Sequence, residues 1–288
     1  MVSVELKKPT LKDYKGDQPT WCPGCGHFSV MAGLQRALVN LGLHPHEVII
    51  VSGIGCSSKL PEYTRAYGFH TIHGRALPVA QGAKLAAPEM HVIVTGGDGD
   101  GYGIGAGHFV HAVRRNMDIT YLVMDNSIYG LTKGQTSPTS PHNFVSKTTV
   151  KGNKEYPMDG LSIALANGAT FVAQAFSGDV KRMTEIIEAA IKHKGFSLVN
   201  VLSPCVTYNK VNTYDFYREH LVDVPEPLPT REEAIRVVKE HGGHVHGILY
   251  VEKRPDFQTL LGIDWKMRDI AAGPMDEATI REIEAEFM

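Results

Sequence analysis

Two short stretches hold residue types that could clamp a divalent cation against a diphosphate: GGDGDG at 96–101 and MDNSIYGLT at 124–132. A hard cation such as Mg2+ wants oxygen ligands and takes few of them from protein, leaving the rest to water and phosphate. Asp98 offers a carboxylate, Asn126 an amide oxygen and Ile128 a backbone carbonyl. Gly97, Gly99 and Gly101 let the backbone approach phosphate oxygens closely. A helix expected to begin near Gly105 would aim its amides at the same oxygens. Gly-Asp-Gly also makes ordinary turns. What lifts the metal reading above that is an asparagine placed one helix and one strand later. A dinucleotide-binding G-x-G-x-x-G fits poorly, because Tyr102 stands where the third glycine belongs.

The second set is the cysteines. There are four, Cys22, Cys25, Cys56 and Cys205, and the first two form C-x-x-C around Pro23 and Gly24. A lone cysteine is most simply a small buried apolar residue, a reading that weakens for a C-x-x-C flanked by glycines. Four thiolates suit either a tetrahedral structural zinc or an iron–sulfur cubane, and composition does not separate the two. The spacing leans away from zinc, whose ribbons bring two C-x-x-C pairs.

These residues need a scaffold that brings them together. Apolar residues at helical spacing over 28–40, 78–88 and 105–116 predict helices, and Asp179 caps another that follows it. Short apolar runs at 48–51, 91–95, 119–124, 169–176 and 196–202 predict strands, several of them running directly into Gly, Ser, Asp or Asn. Strands alternating with helices imply an α/β fold, a mostly parallel sheet with helices on both faces. In such sheets ligands sit at the carboxyl ends of the strands, where the unusual residues fall. The stretch 131–160 is long, polar and aperiodic, and a loop of that kind is functional or disordered. After Cys205 come proline spacers, then Thr230 and Glu233 placed as a capping box. The expected organisation is an N-terminal arm over 1–20, one domain over 21–220, and a peripheral C-terminal arm over 221–288 that meets a partner subunit.

The six stretches WCPGCGH (21–27), GIGCSSKLP (53–61), HTIHGRALPVAQGAKLA (70–86), TGGDGDGYGIGAGHFVHAVRRN (95–116), DNSIYGLTKGQTSPT (125–139) and SPCVTYN (203–209) together resemble the β subunit of 2-oxoacid:ferredoxin oxidoreductases. The resemblance spans about 18–220 and implies the thiamine-diphosphate-binding fold. It implies a [4Fe-4S] cluster on Cys22, Cys25, Cys56 and Cys205, and Mg2+ on Asp98, Asn126 and the Ile128 carbonyl. Gly97, Gly99, Asp100, Gly130 and Leu131 would line the diphosphate. Ile54, Gly55, Cys56 and Ser57 would touch the thiamine rings, and His73 would face the cofactor. Lys59 would neutralise the substrate carboxylate as a point cation. Lys133 would pair with a second carboxylate, or else be a solvated loop charge.

The implied reaction is the coenzyme A-dependent oxidative decarboxylation of a 2-oxoacid to an acyl-CoA and CO2, with electrons leaving through the cluster to ferredoxin. Lys133 tilts the substrate toward 2-oxoglutarate or broad specificity, over pyruvate or branched-chain 2-oxoacids alone. The alternative is a non-redox thiamine-dependent decarboxylase or synthase half with structural zinc. Thiamine enzymes also need a glutamate on the aminopyrimidine, so an α subunit is expected to supply it. The net charge of −2 gives no nucleic-acid footprint. No secretory signal or membrane span is visible, so a cytoplasmic protein with reduced thiols is expected. His241, His244 and His246 sit close together, but the glycines between them favour a solvated loop over a ligand set.

Overall fold

The computed structural model describes residues 7–266 and the isolated positions 278, 281 and 285. In chain order its elements are α1 (Gly26–Asn40), β1 (Val48–Ser52), α2 (Leu60–Tyr63), β2 (Tyr67–His70), α3 (Ala76–Ala86), β3 (His91–Gly97), α4 (Ala106–Arg115), β4 (Ile119–Asp125), α5 (Gly160–Ala166), β5 (Phe171–Phe176), α6 (Val180–Lys192), β6 (Phe196–Leu202), α7 (Tyr214–His220), β7 (Val222–Asp223), α8 (Arg231–Glu240), β8 (Val245–Val251) and α9 (Phe257–Leu260). The strands form one eight-stranded sheet in the order β2-β1-β3-β4-β6-β5-β8-β7. The first six are mutually parallel, and β8 runs antiparallel to β5.

The central strands are buried on both faces, which is why their sequences read as continuous apolar runs. Successive side chains still divide between two cores. Ile49, Val51, Tyr121 and Val123 point to the side covered by α3, α4, α5 and α8. Val48, Ile50, Leu122 and Met124 point to the side covered by α1 and α6. Helices therefore lie on both faces, as expected. Asp179 caps α6 by accepting from the Arg182 amide, and Thr230 caps α8 by accepting from the Glu233 amide.

One expectation needs correcting. The chain over 222–260 is not a peripheral arm. Helix α8 buries Ala234 and Val238, and β8 buries Val245 and Leu249, all in the core shared with α3 to α5. Strand β8 also satisfies its backbone on β5, so this part completes the sheet. The remainder of the expected arm, apart from a few positions, lies outside the described residues. At the other end 1–6 lie outside them too, while 7–20 follow the body: Tyr14 is fully buried and its hydroxyl donates to the Leu43 carbonyl at 2.7 Å. The glycine motif adds a turn ahead of the expected helix. Helix α4 begins at Ala106, directly after Gly105, as expected, and a π-helical turn over Gly99–Ile104 precedes it, broken at Gly103, whose φ of −84° and ψ of −108° are not helical. Gly101 permits this turn, because an added Cβ there would stand 2.0 Å from the Tyr121 hydroxyl of β4.

Candidate active site

Four neighbouring strands, β1, β3, β4 and β6, deliver their carboxyl ends to one place. Strand β1 leads into Ile54, Gly55, Cys56 and Ser57; β3 into Asp98; β4 into Asn126; and β6 into Ser203 and Cys205. The first three border a cavity of about 270 Å³. Its walls include Ile54, Gly55, Cys56, Ser57 and His73 from one side, and Gly97, Asp98, Gly99 and Asp100 from the next. Asn126, Ile128, Gly130 and Leu131 close it. His27, Met124, Tyr129 and Thr132 also line it, and none of these was expected from the sequence.

Register explains how Asp98 and Asn126 meet. Strands β3 and β4 pair with Gly97 opposite Met124, so the residues that follow leave the sheet side by side. The Asn126 amide lies 3.5 Å from Asp98 Oδ1. Asn126 Oδ1 accepts from the Ile128 amide at 3.1 Å, closing an Asx turn over Ser127, whose φ of 54° is left-handed. A non-glycine residue held there is a strain that clusters at functional sites. The amide oxygen keeps a second lone pair for a cation.

Asp98 has an acidic neighbour. Thr139, from the long loop, lies 2.7 Å from Asp98 Oδ2 and 2.8 Å from Asp125 Oδ1. Both carboxylates are buried. Burial raises the proton affinity of Asp98, and the charge of Asp125 raises it further. Asp125 is raised chiefly by burial. Two buried carboxylates around one hydroxyl make a place that a cation would stabilise. The long loop is thus ordered where it meets the site, with Ser140 donating to the Ser127 carbonyl at 2.7 Å.

Asp100 plays a different part. Its Oδ1 accepts from the amides of Ile54 and Gly74 at 2.9 and 2.8 Å and faces His73 Nδ1 at 3.0 Å. The carboxylate is spent on tying the β1 and β2 loops to the motif, which leaves only its backbone for a phosphate. Gly53 is needed for that tie, since an added Cβ would stand 1.9 Å from the carboxylate. At Gly99 an added Cβ would lie 2.2 Å from the Tyr129 ring.

The cysteines gather behind the cavity. A Cβ placed on Gly130 would stand 3.4 Å from Cys56 Sγ and 3.8 Å from Cys205 Sγ. The Gly26 amide donates to the Pro204 carbonyl at 3.2 Å, tying the C-x-x-C turn to the Cys205 turn. Burial pushes the Cys25 thiol up to about 12, with the charges of Cys205, Cys56 and Cys22 adding to it. Burial likewise pushes Cys56 up to about 11. All four are free, and Cys22 is exposed. Among the described residues no three His, Cys, Asp or Glu side chains converge on a geometry for a single metal ion.

The two lysines are not brought into the cavity wall. Lys59 ends a 3-10 turn after Cys56 and donates to Thr20 Oγ1 at 3.0 Å. Lys133 follows the lining residue Thr132 with a left-handed φ of 75°. Of the three histidines near 244, His246 is buried, 3.3 Å from Asp223, and His244 is half-buried, so the region is not wholly a solvated loop. Two buried polar atoms on lining residues, Ser57 Oγ and His27 Nε2, have no hydrogen-bond partner.

The donor set suits a metal-bound diphosphate. Asp98, whose acidic neighbour Asp125 lies behind it across Thr139, borders the cavity together with Asn126, the glycine-rich turn, and two residues that carry unpaired polar atoms.

Comparison with known proteins gives a consistent picture. Residues 53–201 match the family described as thiamine pyrophosphate enzyme, C-terminal TPP binding domain, and residues 205–263 match the C-terminal family of the pyruvate ferredoxin oxidoreductase β subunit. A 2-oxoacid:ferredoxin oxidoreductase subunit beta from Saccharolobus solfataricus is 50% identical over 72% of this chain and 68% of its own. A 2-oxoglutarate synthase subunit KorB from Archaeoglobus fulgidus is 41% identical over 73% of this chain and 81% of its own. A solved 2-oxoglutarate:ferredoxin oxidoreductase from Magnetococcus marinus, with 2-oxoglutarate, coenzyme A and succinyl-CoA bound, superposes with a TM-score of 0.88 at 42% identity. That match covers 98% of this chain and 97% of the other.

Proposed function

The chain belongs to the β subunits of the 2-oxoacid:ferredoxin oxidoreductases, and from that premise we propose that it forms the thiamine-diphosphate half-site of an enzyme oxidising 2-oxoglutarate to succinyl-CoA and CO2. The observation that carries this reading is that Cys56 lines the same cavity as Asp98 and Asn126. An electron acceptor bound by that cysteine would border the cofactor.

In this reading Asp98, Asn126 and the Ile128 carbonyl hold Mg2+, and the backbone of Gly97, Gly99 and Asp100, with Gly130 and Leu131, lines the diphosphate. Ile54, Gly55, Ser57 and His73 border the rings. Cys22, Cys25, Cys56 and Cys205 hold a [4Fe-4S] cluster. Thiamine diphosphate supplies an electron sink for the decarboxylation. The protein fixes the anchor, supplies charge and excludes water. Lys59 follows the Cys56 turn and Lys133 follows Thr132, so both adjoin the cavity in the chain. Their charges would answer the two carboxylates of a dicarboxylic substrate. An α subunit brings the glutamate for the aminopyrimidine, and ferredoxin takes the electrons. Free thiols fit a reducing, cytoplasmic setting, and no helix among the described residues is long and apolar enough to cross a membrane. The relatives' names do not favour the zinc-bearing, non-redox alternative.

The test is anaerobic co-expression with the α subunit, followed by a panel of 2-oxoacids with coenzyme A and a viologen dye. 2-Oxoglutarate should give the highest kcat/KM. Lys133→Ala should raise the KM for 2-oxoglutarate by about tenfold or more, the scale of one lost charged contact, and leave pyruvate unchanged. Pyruvate outrunning 2-oxoglutarate, with Lys133→Ala changing neither, would refute the substrate assignment.

A further inference from the structure

Helix α1 carries a buried histidine beside the cysteines, and the reading above leaves it without a task. His27 is 1% exposed. Its Nδ1 lies 2.8 Å from Ser203 Oγ. Its Nε2 is buried and unpaired, on a residue that lines the cavity. Proteins give nearly every such atom a partner, and the cavity is where a partner can come from.

The chemistry of Ser203 decides what kind of partner. Ser203 is fully buried, and among the described residues the only partner of its hydroxyl is His27. A buried hydroxyl with a single available acceptor donates to it. With Nδ1 accepting, the ring proton sits on Nε2, so His27 carries an unpaired N–H donor on a residue that borders the cavity. The ring is also placed. Trp21 meets it edge-on with centroids 5.6 Å apart, and Trp21 Nε1 donates to the Cys56 carbonyl at 2.7 Å. His27 therefore belongs to the cysteine side of the cavity, the side to which electrons from the reacting carbon must pass.

We propose that His27, oriented by Ser203, donates its Nε2–H to the keto oxygen of the bound 2-oxoacid. The inference rests on the function proposed above. A donor held ready where negative charge develops on oxygen stabilises that charge without reorganising. His27 then serves as a substrate-positioning donor, distinct from the Asp98–Asn126 anchor.

The experiment uses the anaerobic holoenzyme with its α subunit. His27→Asn keeps a group near Ser203 but removes the donor to the cavity. His27→Gln places an amide N–H near the position of Nε2. Four readouts are taken: dye reduction with 2-oxoglutarate, calorimetric affinity for a non-reacting phosphonate analogue of 2-oxoglutarate, calorimetric affinity for thiamine diphosphate with Mg2+, and iron content. His27→Asn should lower kcat/KM on the order of 10²-fold, the cost of one pre-organised donor, and weaken the analogue, with cofactor affinity and iron unchanged. His27→Gln should recover most of both losses. Analogue affinity unchanged in His27→Asn, or cofactor affinity lost with analogue binding intact, would overturn the proposal. If His27→Asn loses its iron, Ser203→Ala decides. It should weaken the analogue while retaining the cofactor, and an unchanged analogue affinity there overturns the proposal. A wild-type complex that fails to oxidise any 2-oxoacid would refute the function itself, which is a separate outcome.

Discussion

A carboxylate taken out of water holds its proton more tightly, and a second carboxylate beside it adds to the effect. Asp98 and Asp125 are in that position around Thr139. Without metal, the folded chain therefore binds more protons at this pair than the unfolded chain does. By linkage, stability is greatest at low pH and is lost as pH rises above the ordinary carboxylate value of 3.8 toward the raised folded values. Calorimetry on the metal-free chain should show Tm falling between about pH 5 and about pH 8 from this pair. Asp98→Asn keeps an oxygen for Thr139 but carries no charge. It should stabilise the metal-free chain at about pH 8 by on the order of 1–3 kcal/mol, while losing the gain in Tm that Mg2+ with thiamine diphosphate gives the wild type. Asp98 and Asn126 are legible in the sequence because both fall in short motifs at strand ends. Asp125 and Thr139 are not, because their relation is made by an aperiodic loop folding back across the strand ends. His27 is hidden for the same reason: its partner Ser203 is brought to it only by the fold.

The elements were legible where burial is two-sided. The continuous apolar runs of β1, β3, β4, β5 and β6 announce strands packed on both faces. Strand β2, with all four residues exposed, lacks that signal. In β8, VHGILYV mixes histidine and glycine with apolar residues, which masks a strand that pairs antiparallel with β5. A chain ending at residue 221 would lose β8 and α8 and expose the core that Ala234, Val238, Val245 and Leu249 close. It should fail to show cooperative unfolding by circular dichroism, whereas an independent arm would leave the transition intact. The Gly53 turn is a second test at this scale. Gly53→Ala forces its Cβ against the Asp100 carboxylate. It should cost about 1–3 kcal/mol in denaturant unfolding, typical of overpacking, and weaken thiamine diphosphate binding by loosening the 53–57 loop.

The molecule as a whole gathers the proposed cofactor anchor and a set of thiols at the carboxyl ends of interior strands, in a chain whose family works as a β subunit. Fold and family were legible because the motifs that carry the resemblance are long and specific. The order of the thiols around Gly130 was not, since it depends on how β1 and β6 are arranged in the sheet. The central claim is that Asp98 and Asn126 hold thiamine diphosphate beside an iron–sulfur acceptor on the four cysteines. It is tested most directly by following the visible iron–sulfur absorbance of the anaerobic αβ complex while 2-oxoglutarate is added with thiamine diphosphate, Mg2+ and coenzyme A. Bleaching in the wild type, and none in Asp98→Ala with iron content unchanged, is the expected result. A complex that carries iron but does not bleach with any 2-oxoacid, or an Asp98→Ala complex that bleaches like the wild type, would contradict it.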